Sequence, residues 1–193
     1  MAWGVETSGL WRSIQPGEIF AGTAGCGDGV YRSTDNGDSW TLANTGLTST
    51  DIAGLGINSN GHIFAATRSI MGEGGGMFRS TDDGDSWTEQ NSGFMAVDAN
   101  AVTFNSVGNV FGAAAGGVFL STNDGASWTD ISSGLIPAGG NVGALAMDSG
   151  NYAYAGTAGA GVFRSVRSTT HGAGDSETKA SANAGTAALR AVE

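Results

Sequence analysis

Arg32-Ser33-Thr34-Asp35-Asn36-Gly37-Asp38-Ser39-Trp40, RSTDNGDSW, returns as RSTDDGDSW from Arg79 to Trp87 and as LSTNDGASW from Leu120 to Trp128. Two carboxylates, an amide, hydroxyls and an arginine within nine residues look like chemistry, but threefold recurrence points first to architecture. Each copy continues in register. SWTLANTGL (39–47), SWTEQNSGF (86–94) and SWTDISSGL (127–135) place Gly six residues and Leu or Phe seven residues after the Trp. The start of the chain, AWGVETSGL, obeys the same rule with Trp3, Gly9 and Leu10.

Four strand pairs lie upstream: EIFAGT…GVYRS, HIFAAT…GMFRS, NVFGAA…GVFLS and YAYAGT…GVFRS. A further apolar strand precedes three of them, at Ile52–Ser59, Asn100–Ser106 and Asn141–Ser149. The unit is therefore four short strands joined by glycine turns, recurring at 41 to 47 residues. This predicts an all-β chain: a β-propeller of four-stranded antiparallel blades. The chain opens on an outermost strand and ends just after a third one. The expectation is thus a four-bladed ring closed by Ala2–Thr7 pairing beside Gly161–Ser165. A piece of a longer propeller and a dimer completing an eight-bladed ring are the other arrangements. The first blade is irregular, its inner strand shortened to something like LWRSIQ. Residues 1–167 form the propeller, and residues 168–193, poor in aromatics and rich in Ser, Thr, Ala and Gly, read as a disordered tail or linker. At most that tail holds a nascent helix near Thr186–Val192.

Composition narrows the function. Eight Lys plus Arg against 18 Asp plus Glu, a formal charge of −10, leave no basic stripe for nucleic acid or an anionic membrane. Cys26 is the only cysteine, so no internal disulfide is available. No apolar run approaches the ~18 residues of a membrane span, and the first residues show no signal-peptide core.

Turn physics explains the opening motif without catalysis. Asp35 and Asp82 are placed to accept backbone N–H bonds across a hairpin. Gly37, Gly84 and Gly125 supply positive φ, and Trp40, Trp87 and Trp128 turn back to pack between strands. Asn123 can make the same turn bonds, a replacement that a catalytic carboxylate would not tolerate. Calcium ligation is disfavoured by spacing poorer than that of an EF-hand loop. No cofactor or metal is expected.

The pattern Ser-x-Asp-x-Gly-x-x-Trp is complete at Ser33 and Ser80, carries Asn123 in the copy starting at Ser121, and is lost at Ser165-Val166-Arg167-Ser168. It resembles the Asp-box, or BNR repeat, of sialidases, xyloglucan-degrading glycoside hydrolases, sortilin-type receptors and photosystem II assembly factors. That resemblance implies an extracellular or cell-envelope setting. It also implies either a non-catalytic binding or assembly module for a glycan or protein, or a glycoside hydrolase or a fragment of one. A purely structural repeat scaffold is the third reading.

Function is expected on the face opposite the hairpins, where the longest connection is ATRSIMGEGGGMF, residues 66–78. The candidate ligand-binding residues are Arg68 and Glu73, with Met71 beside them, Asp28 (near Cys26) and Asp98. Catalysis is the weaker alternative. Arg32, Arg79 and Arg164 occupy one repeat position rather than converging, and Tyr31 aligns with the core residues Phe78, Phe119 and Phe163. For a two-carboxylate glycosidase Asp28, Glu73 and Asp98 can be nominated, but nothing in their neighbourhoods distinguishes them. His62 lies within the fold with no Ser or Cys motif near it, and His171 falls in the tail. The chain is expected to be a monomer or a homodimer.

Overall fold

The computed structural model describes residues 10–13, 17–25, 27–70, 72, 74–95, 98–133, 141–165 and 189–191. Sixteen strands form four antiparallel four-stranded sheets. The first holds β1 (Leu10–Ser13), β2 (Ile19–Gly22), β3 (Val30–Ser33) and β4 (Thr41–Leu42). The second holds β5 (Asp51–Ile57), β6 (Ile63–Arg68), β7 (Gly76–Ser80) and β8 (Thr88–Glu89). The third holds β9 (Ala99–Phe104), β10 (Val110–Ala114), β11 (Gly117–Ser121) and β12 (Thr129–Asp130). The fourth holds β13 (Val142–Met147), β14 (Ala153–Thr157), β15 (Gly161–Ser165) and β16 (Leu189–Ala191).

Local sequence explains the strands. In the two middle sheets the second strands, IFAAT and VFGAA, are apolar on both faces, because both faces are covered by neighbouring sheets. The fourth strands shrink to two exposed residues directly after each Trp. In sheets two to four, the pairing of the first strand with the second slips register at 52/54, opposite 113/114 and at 142/144. Such bulges sharpen the twist and re-aim the strand start.

The sheets stack through a repeating directional contact. Phe20 and Val30 of sheet one pack with Ile63, Ala65, Phe78 and Trp87 of sheet two. Phe64, Ala66 and Met77 of sheet two meet Val110, Phe119 and Trp128 of sheet three. Phe111, Ala113 and Val118 of sheet three meet Ala153, Ala155 and Phe163 of sheet four. Each of the two middle sheets thus has one face that packs on the sheet before it and one that packs on the sheet after it.

The expected closed four-bladed ring is not what forms. Among the described residues the named strands pair into four separate sheets, and no sheet closes into a barrel or ring. The edge of β15 assigned to Ala2–Thr7 is occupied instead by β16, through Phe163↔Ala191, Arg164↔Arg190 and Ser165↔Leu189. Edge pairing uses backbone groups that every residue carries. Sequence periodicity therefore located a vacant edge but did not decide which segment fills it. Residues 189–191 accordingly form a strand where the sequence suggested a nascent helix; Ala2–Thr7 lie outside the described residues. The shortened first strand appears as Leu10–Ser13.

The Trp-to-Gly spacing of six has a structural cause. The Trp87 backbone N–H donates to the Thr45 carbonyl at 2.8 Å, and that of Trp128 to Ser92 at 2.9 Å. This brings each Trp carbonyl against the glycine of the preceding repeat. A Cβ on Gly46 would lie 2.2 Å from the Trp87 carbonyl oxygen, and one on Gly93 would lie 2.3 Å from that of Trp128. Both glycines also have positive φ, 91° and 80°. We expect Gly46→Ala and Gly93→Ala each to destabilise the fold by roughly 2–3 kcal/mol, from combined strain and overpacking. Gly61→Ala, whose added methyl would meet open space but which shares the positive φ at 82°, should cost only the backbone strain of about 1–2 kcal/mol. Chemical denaturation of the three variants gives the comparison, and equal losses would contradict this origin of the spacing.

Candidate functional site

The hairpin end is built from the Ser-x-Asp spacing. Ser33 Oγ donates to Asp35 Oδ1 at 2.7 Å and accepts the Gly37 N–H at 2.8 Å. Asp35 in turn accepts the Ser39 N–H at 2.9 Å and the Ser39 hydroxyl. Ser80, Asp82, Gly84 and Ser86 repeat this network. Asn123 reproduces it as an amide: its Oδ1 takes the hydroxyl of Ser121 and the N–H of Ser127, while its Nδ2 donates to Ser127 Oγ. Each turn runs through two consecutive left-handed residues: Asn36 and Gly37, Asp83 and Gly84, Asp124 and Gly125. The first of each pair went unrecognised in the sequence, although Asn and Asp tolerate that conformation best after glycine.

The indoles connect neighbouring sheets. Trp87 Nε1 donates to the Ala43 carbonyl and Trp128 Nε1 to the Gln90 carbonyl, both at 2.8 Å. Trp40, in the first sheet, bonds the Gly37 carbonyl of its own turn at 3.0 Å. Ion pairs run the same way. Arg32 reaches Glu18 and, across the sheet boundary, Asp85. Arg79 and His62 both meet Asp124 Oδ2, at 2.8 and 2.6 Å, and Asn58 donates to its Oδ1. Among the described residues this end carries every ion pair.

At the opposite end the first strands begin. Asp51, Asp98 and Asn141 occupy one repeat position there, just before the apolar start of the strand. Asp51 Oδ1 accepts the Gly25 N–H at 2.9 Å. Asp98 Oδ1 accepts both the N–H and the hydroxyl of Ser69, at 2.6 and 2.8 Å. These carboxylates anchor the loop of the preceding sheet. Asp98 is therefore a staple between sheets on at least one of its oxygens, which its sequence context did not reveal.

Arg68, at the end of β6, is exposed. Its Nε donates to Asn100 Oδ1 at 3.1 Å. Asn100 is buried, and its Nδ2 donates to Asn141 Oδ1 at 2.8 Å and the Val142 carbonyl at 3.0 Å. The guanidinium is thus held by a two-amide relay through one nitrogen, and among the described residues it forms no ion pair. Met95, 88% exposed, lies on the loop leading to Asp98. Asp28 stands apart: its carboxylate accepts the Tyr31 hydroxyl at 2.9 Å, which raises the Tyr31 pKa. Glu73, Met71 and Cys26 lie outside the described residues. The structure therefore joins Arg68 and Asp98 to one end of the fold and adds Asn100 and Asn141, which the sequence reading did not single out. The signal for Asn141 was available, since Asp51 and Asp98 occupy the same repeat position, whereas Asn100 aligns with Ala53 and Gly143 and had none.

Among the described residues no group of three or more His, Cys, Asp or Glu side chains is placed to hold a metal ion. No helix there is long and apolar enough to cross a membrane.

No protein-family model matches the chain, and no curated protein does. Solved structures do. YCF48 bound to D1 peptide aligns at 16% identity and a TM-score of 0.60, over 88% of this chain and 53% of that one. YCF48 from Cyanidioschyzon merolae aligns at 14% and 0.56, over 87% and 59%. The GH74 xyloglucanase from Xanthomonas campestris aligns at 16% and 0.58, over 82% and 30%. The chain has a propeller-like scaffold and spans about half the length of the two YCF48 structures. This scaffold serves both a peptide-bound protein and a xyloglucanase.

The hairpin carboxylates set a pH dependence. Hydrogen bonds from the Ser39 hydroxyl, the Ser39 N–H and the Ser33 hydroxyl lower the Asp35 pKa from 3.8 to about 2; Asp82 is lowered by the equivalent serines. A carboxylate with a depressed folded pKa stabilises the fold above its unfolded pKa, and that contribution disappears as pH falls through the folded value. Acidification from 3.8 toward about 2 should therefore lower the melting temperature. The drop should be smaller in an Asp35→Asn/Asp82→Asn variant, whose turns carry the non-titrating side chain already present at Asn123. Identical acid profiles for the two proteins would remove the hairpins from the explanation.

Proposed function

We propose that the chain is a non-catalytic binding module of the Asp-box type. It holds an extended polypeptide across the end opposite the hairpins, with Arg68 gripping a carboxylate of the ligand. The observation that carries this reading is the Arg68–Asn100–Asn141 relay. A guanidinium fixed through Nε presents its Nη groups in a set orientation, the arrangement that favours bidentate carboxylate recognition. Pre-organisation limits the ordering entropy lost on binding. Exposed Met95, on the loop leading to Asp98, offers an adaptable apolar contact. YCF48, which shares the scaffold, is a protein with a bound peptide.

A hydrolase needs two carboxylates flanking a scissile bond. Asp51 and Asp98 instead each anchor a loop of the preceding sheet, and Asp28 accepts a tyrosine hydroxyl. These engagements favour binding over turnover.

A peptide array and a glycan array, run beside a fluorogenic glycoside panel, test the proposal. Acidic peptides should be retained with a salt-sensitive affinity. Arg68→Ala should weaken retention by the equivalent of about 1.5–3 kcal/mol, and Arg68→Lys should restore only part of it. Retention indifferent to Arg68→Ala would sink the assignment. So would glycoside turnover abolished by Asp98→Asn.

A further inference from the structure

Each of the three sheet-to-sheet contacts joins a trailing face to a leading face, and among the described residues the two ends of the stack leave one of each without a counterpart. The trailing face of sheet four is built from Tyr154, Gly156, Val162 and Arg164. By strand register these correspond to Phe64, Ala66, Met77 and Arg79 of sheet two. Phe20, Phe64 and Phe111 are fully buried at the first position, as are Val30, Met77 and Val118 at the third. Val162 is 48% exposed and Tyr154 is half-buried. The leading face of sheet one shows the complementary deficit. Ile19, Ala21 and Tyr31 are half-buried, where Ile63, Ala65 and Phe78 are buried.

We infer that these two faces meet between copies of the chain, sheet four of one molecule packing head to tail on sheet one of the next. The geometry inside the chain supplies the template. Phe20 lies under Gly84 and Phe64 under Gly125, so closely that a Cβ on either glycine would come within 3 Å of the ring. A Cβ on Gly37, the same turn in sheet one, would among the described residues meet only its own Trp40 and Ile19, at 3.6 and 3.9 Å. That leaves it an open seat for the ring of Tyr154. Charge agrees as well. Arg32 crosses to Asp85 and Arg79 to Asp124 of the following turn. Arg164, stacked on Tyr152 at 5.0 Å, stands at that arginine position on the trailing face, and exposed Asp38 stands at the Asp85 position on the leading face. The chain carries a formal charge of −10, so this one complementary pair sets the register against a background of mutual repulsion. The contact is heterologous: it consumes two different surfaces and builds either a closed assembly or an open chain of molecules.

Sedimentation equilibrium of the 193-residue chain reads the outcome. Particles of two or more chain masses are expected. Val162→Asp and Ala21→Asp should each give monomers that melt cooperatively. Mixing those two variants should restore a one-to-one pair, because one keeps the leading face and the other the trailing face. If Ala21→Asp fails to fold, the exposed Asp38→Arg serves in its place: alone it should weaken association by about tenfold, and Arg164→Asp in the same chain should recover it. A wild-type chain that stays monomeric at all concentrations overturns the inference. So does association that survives Val162→Asp, or a pair of monomeric variants that do not complement each other.

Discussion

The structure depends on the docking of an indole from one sheet onto the backbone of the sheet before it. Trp87 and Trp128 are 4% and 6% exposed, and a buried indole N–H needs an acceptor. Both find one three residues past the preceding Trp, at the carbonyls of Ala43 and Gln90. Because the acceptor is main chain, its side chain is free to vary. The glycine three residues further on is not free, since the same approach brings the Trp carbonyl against it. Truncating such a tryptophan typically costs about 3–5 kcal/mol, a large part of the stability of a domain this size. The contact also has a direction, and that direction gives each sheet a leading and a trailing face.

The two ends of the strands are consequently used differently. At the hairpin end the turns are saturated with internal hydrogen bonds, and the cross-sheet pairs Arg32–Asp85 and Arg79–Asp124 neutralise the nearby charge. That end clamps sheets together. At the other end, Asp51 and Asp98 also bind the neighbouring sheet, through backbone N–H groups of its loop. Arg68 is different, because its anchor, Asn100, is an uncharged amide. Among the described residues its guanidinium is held in place without an ion pair.

Much of this was legible in the chain. The period of 41 to 47 residues, the four strands per unit and the shortened first strand follow from apolar runs and turn residues. The spacing of Ser33, Asp35 and Ser39 already contains the hairpin network, since all its partners lie within six residues. The site was legible only in part. Arg68 stood out because its loop is long, whereas Asn100 and Asn141 act through contacts 32 and 41 residues away in sequence. Asp98 illustrates the limit: its carboxylate belongs to the loop of the neighbouring sheet, and only folding brings Ser69 to it.

The amino-acid sequence by itself determined the repeating unit, its strands and its turns, because those rest on propensity and on hydrogen bonds between near neighbours. Tertiary structure alone decided that Leu189–Ala191 completes the last sheet and that, among the described residues, no sheet closes into a ring. Edge pairing and stacking are made by backbone groups and apolar faces that recur in every repeat. Their partners are chosen by where the chain arrives in space, and local sequence does not encode that arrival.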